Sequence, residues 1–248
     1  MEQSVLEKKK ELTNQYSKWV DKYVSYIFFA DPVSKQDSKI FDSASVTFID
    51  TGQRKIAVTN EHVISEYRKL VKVHNDINFQ LGSFSIDIES RLIDINKHCD
   101  LATFYIKPKE IESLNRQFCF TKSWTPKRIK EEELLIFAGY PGAFRDKIKY
   151  NYVHFDSAIY TEQIISVSDD SFKIALDRQS YKHFLGNRKN SELTDLSGFS
   201  GAGVFRINQN NPISYLEPVG IIFEGINEWQ LQMGSHIDFI DKYGKIKI

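Results

Sequence analysis

A serine flanked by two glycines, in the run Gly198-Phe199-Ser200-Gly201, is the feature of this sequence best suited to chemistry. Glycines lack a β-carbon, so the backbone here can bend tightly and a substrate can approach it closely. Residues 204–207 follow with a short alternating pattern that predicts a strand. The pattern therefore places Ser200 on an ordered turn instead of in a linker.

An alcohol is a poor nucleophile at neutral pH, so a reactive serine needs a general base beside it and a carboxylate that orients the base. His62 and Asp100 are available upstream, each at the edge of a strand-like segment. In chain order the three residues come as histidine, aspartate and serine, with gaps of 38 and 100 residues. We therefore interpret them as a candidate catalytic triad.

The composition limits the partners that the chain can have. Lysine and arginine total 33, as do aspartate and glutamate, which leaves no electrostatic footprint for nucleic acid. No apolar run approaches the ~20 residues of a membrane helix. We therefore expect neither nucleic acid nor a membrane as a partner.

The two cysteines, Cys99 and Cys119, bear on the cellular compartment and on metal binding. No secretory signal pattern follows Met1, so we expect a cytoplasmic protein with free thiols. His98 and Cys99 precede Asp100, but no second pair of ligands stands at metal-binding spacing. We expect no metal, and we interpret Cys119 as a buried apolar residue.

The elements that must position these residues follow from the hydrophobic pattern. Apolar residues at three- and four-residue spacing predict an amphipathic helix from about Val5 to Tyr26. It either packs on the protein body or docks a regulatory protein. Residues 45–49 and 55–59 predict a hairpin, after which Asn60 is a candidate cap for a short helix that holds His62.

Short strands separated by turns continue to the C-terminal region, where residues 237–243 predict a closing helix. This pattern predicts an all-β fold of two packed β-barrels. The expected units are an N-terminal helix (1–28), a first barrel with His62 and Asp100 (29–121), a second barrel with Ser200 (122–235), and a C-terminal helix and tail (236–248).

Five short segments lie in order between residues 43 and 243 and surround the candidate triad. They are 59–63 (Thr-Asn-Glu-His-Val), 100–102 (Asp-Leu-Ala), 139–141 (Gly-Tyr-Pro), 198–204 (Gly-Phe-Ser-Gly-Ala-Gly-Val) and 219–222 (Val-Gly-Ile-Ile).

These segments resemble motifs of the trypsin-like, or chymotrypsin-fold, serine peptidases, and in style those of HtrA-type protease domains without a PDZ domain. The resemblance implies two six-stranded Greek-key barrels and hydrolysis of peptide bonds through an acyl-enzyme, with no cofactor. It makes Ser200 the nucleophile, His62 the general base and Asp100 the carboxylate that orients it. The N–H groups of Gly198 and Ser200 would form the oxyanion hole.

The resemblance also implies a substrate pocket for a polypeptide. Its floor would lie at Thr194 or Asp195, and its wall at Phe223, Glu224 and Gly225, where an extended peptide could add as a strand. Asp195 and Glu224 favour a basic side chain, whereas Thr194 favours a neutral one, so both preferences stay open.

Two positions depart from the family pattern. Phe199 replaces the aspartate that pairs with a newly released N-terminus in the digestive enzymes, so activation by that ion pair is excluded. Ala202-Gly203 stands in place of Gly-Pro, which is a small-for-small change.

Two other classes of function compete with the peptidase. The first is a catalytically inactive module of the same fold that binds extended peptides or a protein partner. The second is a nucleic-acid-binding or scaffold protein built on a β-barrel, which the balanced charge disfavours. For the peptidase itself, we expect narrow specificity or a partner that completes the site.

Overall fold

Alternating strand segments separated by turns form two large, mainly antiparallel sheets, each of which curls around its own apolar core. The computed structural model describes residues 2–31, 40–74, 76–121, 123–149, 152–176, 182–184, 197–210, 213–226 and 231–247. Within these ranges the helices are α1 (Glu2–Asp21), α2 (Glu61–Val73), α3 (Ile88–Arg91) and α4 (Pro108–Ser113).

The first sheet contains strands β1 to β8 in the order β5-β4-β1-β2-β3-β7-β6, and β8 pairs in parallel with β2. Its strands form a curled half-barrel around a core that includes Phe29, Phe48, Phe79 and Phe104. The strands are β1 (Val24–Ala30), β2 (Ile40–Asp50), β3 (Lys55–Thr59), β4 (Asn78–Leu81), β5 (Phe84–Ile86), β6 (Leu92–Asn96), β7 (Leu101–Phe104) and β8 (Cys119–Phe120).

The second sheet closes into a barrel. Its order is β13-β17-β16-β15-β9-β12-β14, and a further pairing of β13 with β12 joins six of these strands in a ring. The strands are β9 (Leu134–Gly139), β12 (Ser157–Val167), β13 (Ser171–Ala175), β14 (Lys182–Phe184), β15 (Gly203–Asn210), β16 (Ile213–Ile226) and β17 (Leu231–His236). A separate hairpin is formed by β10 (Arg145–Lys149) and β11 (Tyr152–Phe155). The predicted all-β double-barrel fold is confirmed, with the second sheet as a closed six-stranded barrel and the first as a curled half-barrel.

The N-terminal helix ends earlier than its apolar pattern predicted. Helix α1 stops at Asp21, and Val24–Ala30 form strand β1 of the first sheet. This segment is rich in β-branched and aromatic residues, which favour a strand. The predicted end of the helix at Tyr26 is therefore wrong.

Helix α1 buries its apolar face on the second barrel, although the strand that follows it belongs to the first sheet. Leu12, Tyr16 and Val20 are buried in a core shared with β9 and β12. A salt bridge of 2.6 Å joins Lys9 to the buried Glu162 on β12. Packing on the body is therefore the observed use of this face, and the N-terminal segment ties the two barrels together.

The C-terminal helix is shorter than expected. Only Ile237–Phe239 form a helix, a single 3-10 turn, and the predicted extension to Tyr243 is wrong. The Asp241 carboxylate accepts hydrogen bonds from the N–H groups of Tyr243 and Lys245, at 2.8 and 2.9 Å. An aspartate that bonds nearby backbone in this way stabilises a turn in place of a helix.

None of the described helices is both long and apolar enough to cross a lipid bilayer.

Candidate active site

Ser200 lies on a turn whose backbone requires glycine at two positions, 198 and 201. Gly198 and Gly201 both have φ of +88°, a region that residues with a β-carbon rarely adopt. A β-carbon on Gly198 would lie 2.6 Å from the Tyr140 carbonyl oxygen, and one on Gly201 would lie 2.0 Å from the Ser45 carbonyl oxygen. The glycines thus allow the turn both to bend and to contact its neighbours closely.

His62 reaches this turn from the start of helix α2. Strand β3 ends at Thr59, and the helix begins at Glu61 with Asn60 at its N-cap position. The Nε2 atom of His62 lies 3.0 Å from the Oγ atom of Ser200. A hydrogen bond therefore joins a helix that follows the first sheet to a turn that precedes β15 of the second.

Asp100 holds the other side of the imidazole. Its Oδ2 lies 2.7 Å from His62 Nδ1, and its Oδ1 accepts the backbone N–H of His62 at 2.9 Å. Asp100 has φ of +49°, which aspartate tolerates better than most residues. The structure thus brings together the three residues that the sequence singled out, in the order carboxylate, imidazole, hydroxyl.

Asn60 has a different contact from the one predicted for it. Its side chain makes no capping hydrogen bond, and helix α2 runs for 13 residues instead of being short. Its Nδ2 atom donates to the Asp100 carbonyl oxygen at 2.8 Å. Asn60 thus anchors the turn that carries Asp100, a role that the spacing of the sequence did not indicate.

The electrostatic environment of His62 favours its protonated form. Burial, the largest single contribution, lowers the pKa of His62, but the hydrogen bond and negative charge of Asp100 oppose it. The negative charges of Glu61 and Asp42 add smaller contributions in the same direction as Asp100. Together these three carboxylates raise the pKa of His62 above its ordinary value of 6.5.

We therefore expect His62 to titrate at a higher pH than an ordinary histidine. Nuclear magnetic resonance of the imidazole nitrogens should show a midpoint above 6.5. Replacing Asp100 with asparagine removes the charge that stabilises the imidazolium, so the midpoint should fall. A midpoint that is unchanged in Asp100→Asn would contradict this account.

The amides of Gly198 and Ser200 are oriented by hydrogen bonds to the preceding carbonyl groups. The Ser197 carbonyl accepts from the Gly142 N–H, and the Phe199 carbonyl accepts from the Ala202 N–H, each at 2.8 Å. In a trans peptide the C=O and N–H groups point in opposite directions. Both amides therefore point away from these donors, and neither donates to another group in the described part of the chain.

Phe199 anchors the turn through apolar contacts. It is 1% exposed, and its ring lies 6.3 Å from that of Phe137 and 5.8 Å from that of Tyr160. Its side chain points into the core of the second barrel, which is where an apolar residue is stable and an unpaired aspartate is not.

The predicted pocket wall lies beside the serine. The pairing of β16 with β17 shifts between Ile222 and Glu224, so Phe223 sits in a bulge. The Phe223 carbonyl oxygen lies 3.4 Å from Ser200 Oγ, and the Glu224 side chain is exposed. Thr194 and Asp195, the predicted floor, lie outside the described residues.

One edge of β16 is open near the serine. Residues from Gly220 to Ile226 pair with β17, whereas the pairing with β15 extends only to Ile221. Among the described strands, none covers the other edge of residues 223–226. This edge is long enough for a short extended peptide to add as a strand.

The two cysteine thiols are shielded by the protein. Cys99 and Cys119 are both buried, and burial raises the pKa of the Cys99 thiol to about 11. Within the described ranges, the His, Cys, Asp and Glu side chains form no group of three that could hold a metal ion.

The sequence matches no protein-family model and no curated protein. Many solved structures are similar to this chain, and three of them are described below. A thermostable serine protease, AL20, from an extremophilic microorganism is 11% identical with a TM-score of 0.48, over 87% of this chain and 91% of its own.

The second is a structure from work on aromatic interactions that drive the coupled folding and binding of the intrinsically disordered Sesbania mosaic virus VPg protein. It is 9% identical with a TM-score of 0.41, over 89% of this chain and 95% of its own. The third is a catalytically inactive tobacco etch virus protease complexed with substrate, 10% identical with a TM-score of 0.44, over 90% and 80%. Because every TM-score lies below 0.5, none of these similarities bears on the activity of this chain.

Proposed function

We propose that this chain is a trypsin-like serine endopeptidase. The observation that carries the proposal is the position of the His62 imidazole, which lies 2.7 Å from Asp100 on one side and 3.0 Å from Ser200 on the other. These are hydrogen-bond distances, and the side chains come from three segments that are distant in sequence. This arrangement matches the requirements for an activated serine nucleophile.

In the proposed reaction, Ser200 Oγ attacks the carbonyl carbon of the scissile peptide bond, and His62 Nε2 accepts the hydroxyl proton. The developing oxyanion is stabilised by the N–H groups of Gly198 and Ser200. When the tetrahedral intermediate collapses, His62 gives its proton to the leaving amine, and the acyl group stays on Ser200. A water then attacks the ester with His62 as base, which releases the acid and restores the hydroxyl.

Asp100 stays ionised through this cycle. Its contact with Nδ1 keeps the Nε2 atom of neutral His62 available as an acceptor, and its charge stabilises the imidazolium that forms. Because the base must be neutral to accept a proton, activity should rise with pH through the raised pKa of His62.

The open edge of β16 supports a polypeptide as the substrate. The Phe223 carbonyl faces Ser200, and because backbone groups alternate along a strand, those of Gly225 face the same side. An extended peptide on this edge would place its scissile bond beside Ser200. The exposed Glu224 adds a negative charge near this edge.

A fluorophosphonate probe tests the proposal, because it reacts covalently with an activated serine. We expect the folded protein to be labelled, Ser200→Ala to lose the label, and Ser113→Ala on the exposed surface of α4 to keep it. A folded wild-type protein that does not react, or labelling that persists in Ser200→Ala, would contradict the proposal. The first of these results would favour the inactive peptide-binding module.

A further inference from the structure

Ser45 of the first sheet makes two hydrogen bonds to the turn that carries Ser200. Its backbone N–H donates to the Ser200 carbonyl oxygen at 2.7 Å. Its side-chain Oγ donates to the Gly198 carbonyl oxygen at 2.8 Å, across 153 residues of sequence. Ser45, which lies in the first sheet, therefore holds both residues of the second barrel that would form the oxyanion hole.

We infer that Ser45 is a positioning residue for the reaction, one that fixes the oxyanion hole of the proposed peptidase. The inference rests on the proposed function, and it concerns a residue that no triad motif includes. Ser45 does not touch the substrate in this role. It acts through the backbone of Gly198 and Ser200.

The hydrogen bonds fix the two dihedral angles of each oxyanion residue. For Gly198, the preceding peptide is held by Gly142 through the Ser197 carbonyl, and the following peptide is held by Ser45. With both flanking peptide planes held, φ and ψ are confined to a narrow range. This matters most at a glycine, because glycine has the widest choice of backbone conformations.

The same reasoning applies to Ser200. The preceding peptide is held through the Phe199 carbonyl by Ala202, and the following peptide is held by the Ser45 N–H. The nucleophile and both oxyanion donors therefore share one support. Preorganised donors of this kind stabilise developing charge without reorganising during the reaction.

Ser45 is itself held firmly. It is fully buried in strand β2, opposite Tyr26 on β1. Its Oγ accepts the Tyr140 N–H at 2.9 Å, so its own hydroxyl hydrogen is directed to Gly198. Its carbonyl oxygen accepts the Thr59 hydroxyl at 2.9 Å. All its polar groups are satisfied, which makes it a rigid support.

This support explains how the turn is held without a buried aspartate at position 199. Phe199 fixes the turn on one side by packing into the second barrel, and Ser45 fixes it on the other by hydrogen bonds from the first. Both supports are present in the folded chain, so the hole requires no cleaved N-terminus.

Ser45→Ala and Thr47→Val together test the inference. Thr47 is the next residue on the same face of β2, is also fully buried, and donates its hydroxyl to the Gly201 carbonyl at 2.9 Å. Each variant removes one buried hydroxyl bond from the first sheet to the turn. Only Ser45 bonds to an oxyanion residue, so the pair separates positioning from stability.

The readout is the second-order rate of labelling by a fluorophosphonate, whose phosphoryl oxygen would occupy the oxyanion hole. We expect Ser45→Ala to be labelled about 10- to 100-fold more slowly and Thr47→Val to stay within about threefold of wild type, both measured at a temperature where each variant is folded. Ser45→Ala should have the lower Tm of the two, because it also leaves the buried Tyr140 N–H without its acceptor. The pH midpoint should be unchanged in Ser45→Ala, because its side chain does not contact His62. A rate for Ser45→Ala within threefold of wild type, or equal slowing in both variants, would overturn the inference.

Amide hydrogen exchange tests whether Ser45 holds the turn without relying on catalysis. Peptides covering residues 197–203 should exchange faster in Ser45→Ala than in wild type if Ser45 holds the turn. If wild type resists labelling but exchange increases in the variant, the proposed function fails while the support by Ser45 stands. Unchanged exchange in this segment would refute the support itself.

Discussion

Replacing His62 with alanine should lower the rate of peptide hydrolysis by about 10⁶-fold, nearly as much as replacing Ser200. The reason is that in the proposed mechanism the two residues act as a unit. Without the imidazole 3.0 Å from Ser200 Oγ, the hydroxyl has no base and the leaving amine no acid. The measurement is kcat on a peptide selected from a library, with purified protein whose Tm matches that of wild type.

The double variant His62→Ala, Ser200→Ala should be no slower than either single variant, because each alone already disables the triad. Asp100→Asn should lose about 10⁴-fold, since the imidazole would then adopt the wrong tautomer. His98→Ala, which removes an exposed histidine close to Asp100, is the matched control and should keep wild-type activity. Losses from His62 and Ser200 that multiply in the double variant would show that they do not form one catalytic unit.

Replacing Gly201 with alanine should destabilise the fold by about 3–5 kcal/mol, a large fraction of the roughly 5–15 kcal/mol that typically separates folded from unfolded protein. Two effects combine. The residue has φ of +88°, and an added β-carbon would lie 2.0 Å from the Ser45 carbonyl oxygen and 2.6 Å from the Thr59 hydroxyl. Since Ser45 and Thr59 belong to the other sheet, the overlap would force the two barrels apart.

Gly52→Ala separates the two effects. Gly52 also has a positive φ, of +80°, but a β-carbon there would meet only Phe120, at 3.8 Å. This variant should lose only about 1–2 kcal/mol, from the backbone conformation alone. The free energy of unfolding in urea measures both. If Gly201→Ala were no less stable than Gly52→Ala, the close contact between the barrels at this turn would be wrong.

Local patterns predicted much of the fold correctly. The hairpin of β2 and β3 followed from alternating apolar residues on either side of a turn containing Gly52, and β15 followed from the alternating pattern at residues 204–207. The ends of the two terminal helices were predicted poorly. Apolar residues can keep a helical spacing beyond the residue where the helix ends and a paired strand begins. This happens here, where α1 ends at Asp21 and β1 begins at Val24.

For the site, the sequence by itself determined which residue types were available: a nucleophile between glycines, a base and a carboxylate in a recognisable order. The catalytic role of these residues stays a prediction. The sequence predicted that Gly198 and Gly201 allow a tight bend. Only the structure showed that they also lie against the carbonyl groups of Tyr140 and Ser45.

Tertiary structure alone decided that Asn60 bonds to Asp100 and that Ser45 holds Gly198 and Ser200. Serine in a strand carries no sequence signal for this role, since the same residue would suit many solvated positions. Its partners lie more than 150 residues away, and their distances are set by how the two barrels pack. Hydrogen bonds depend on those distances to within a few tenths of an ångström, which a linear pattern of residue types does not encode.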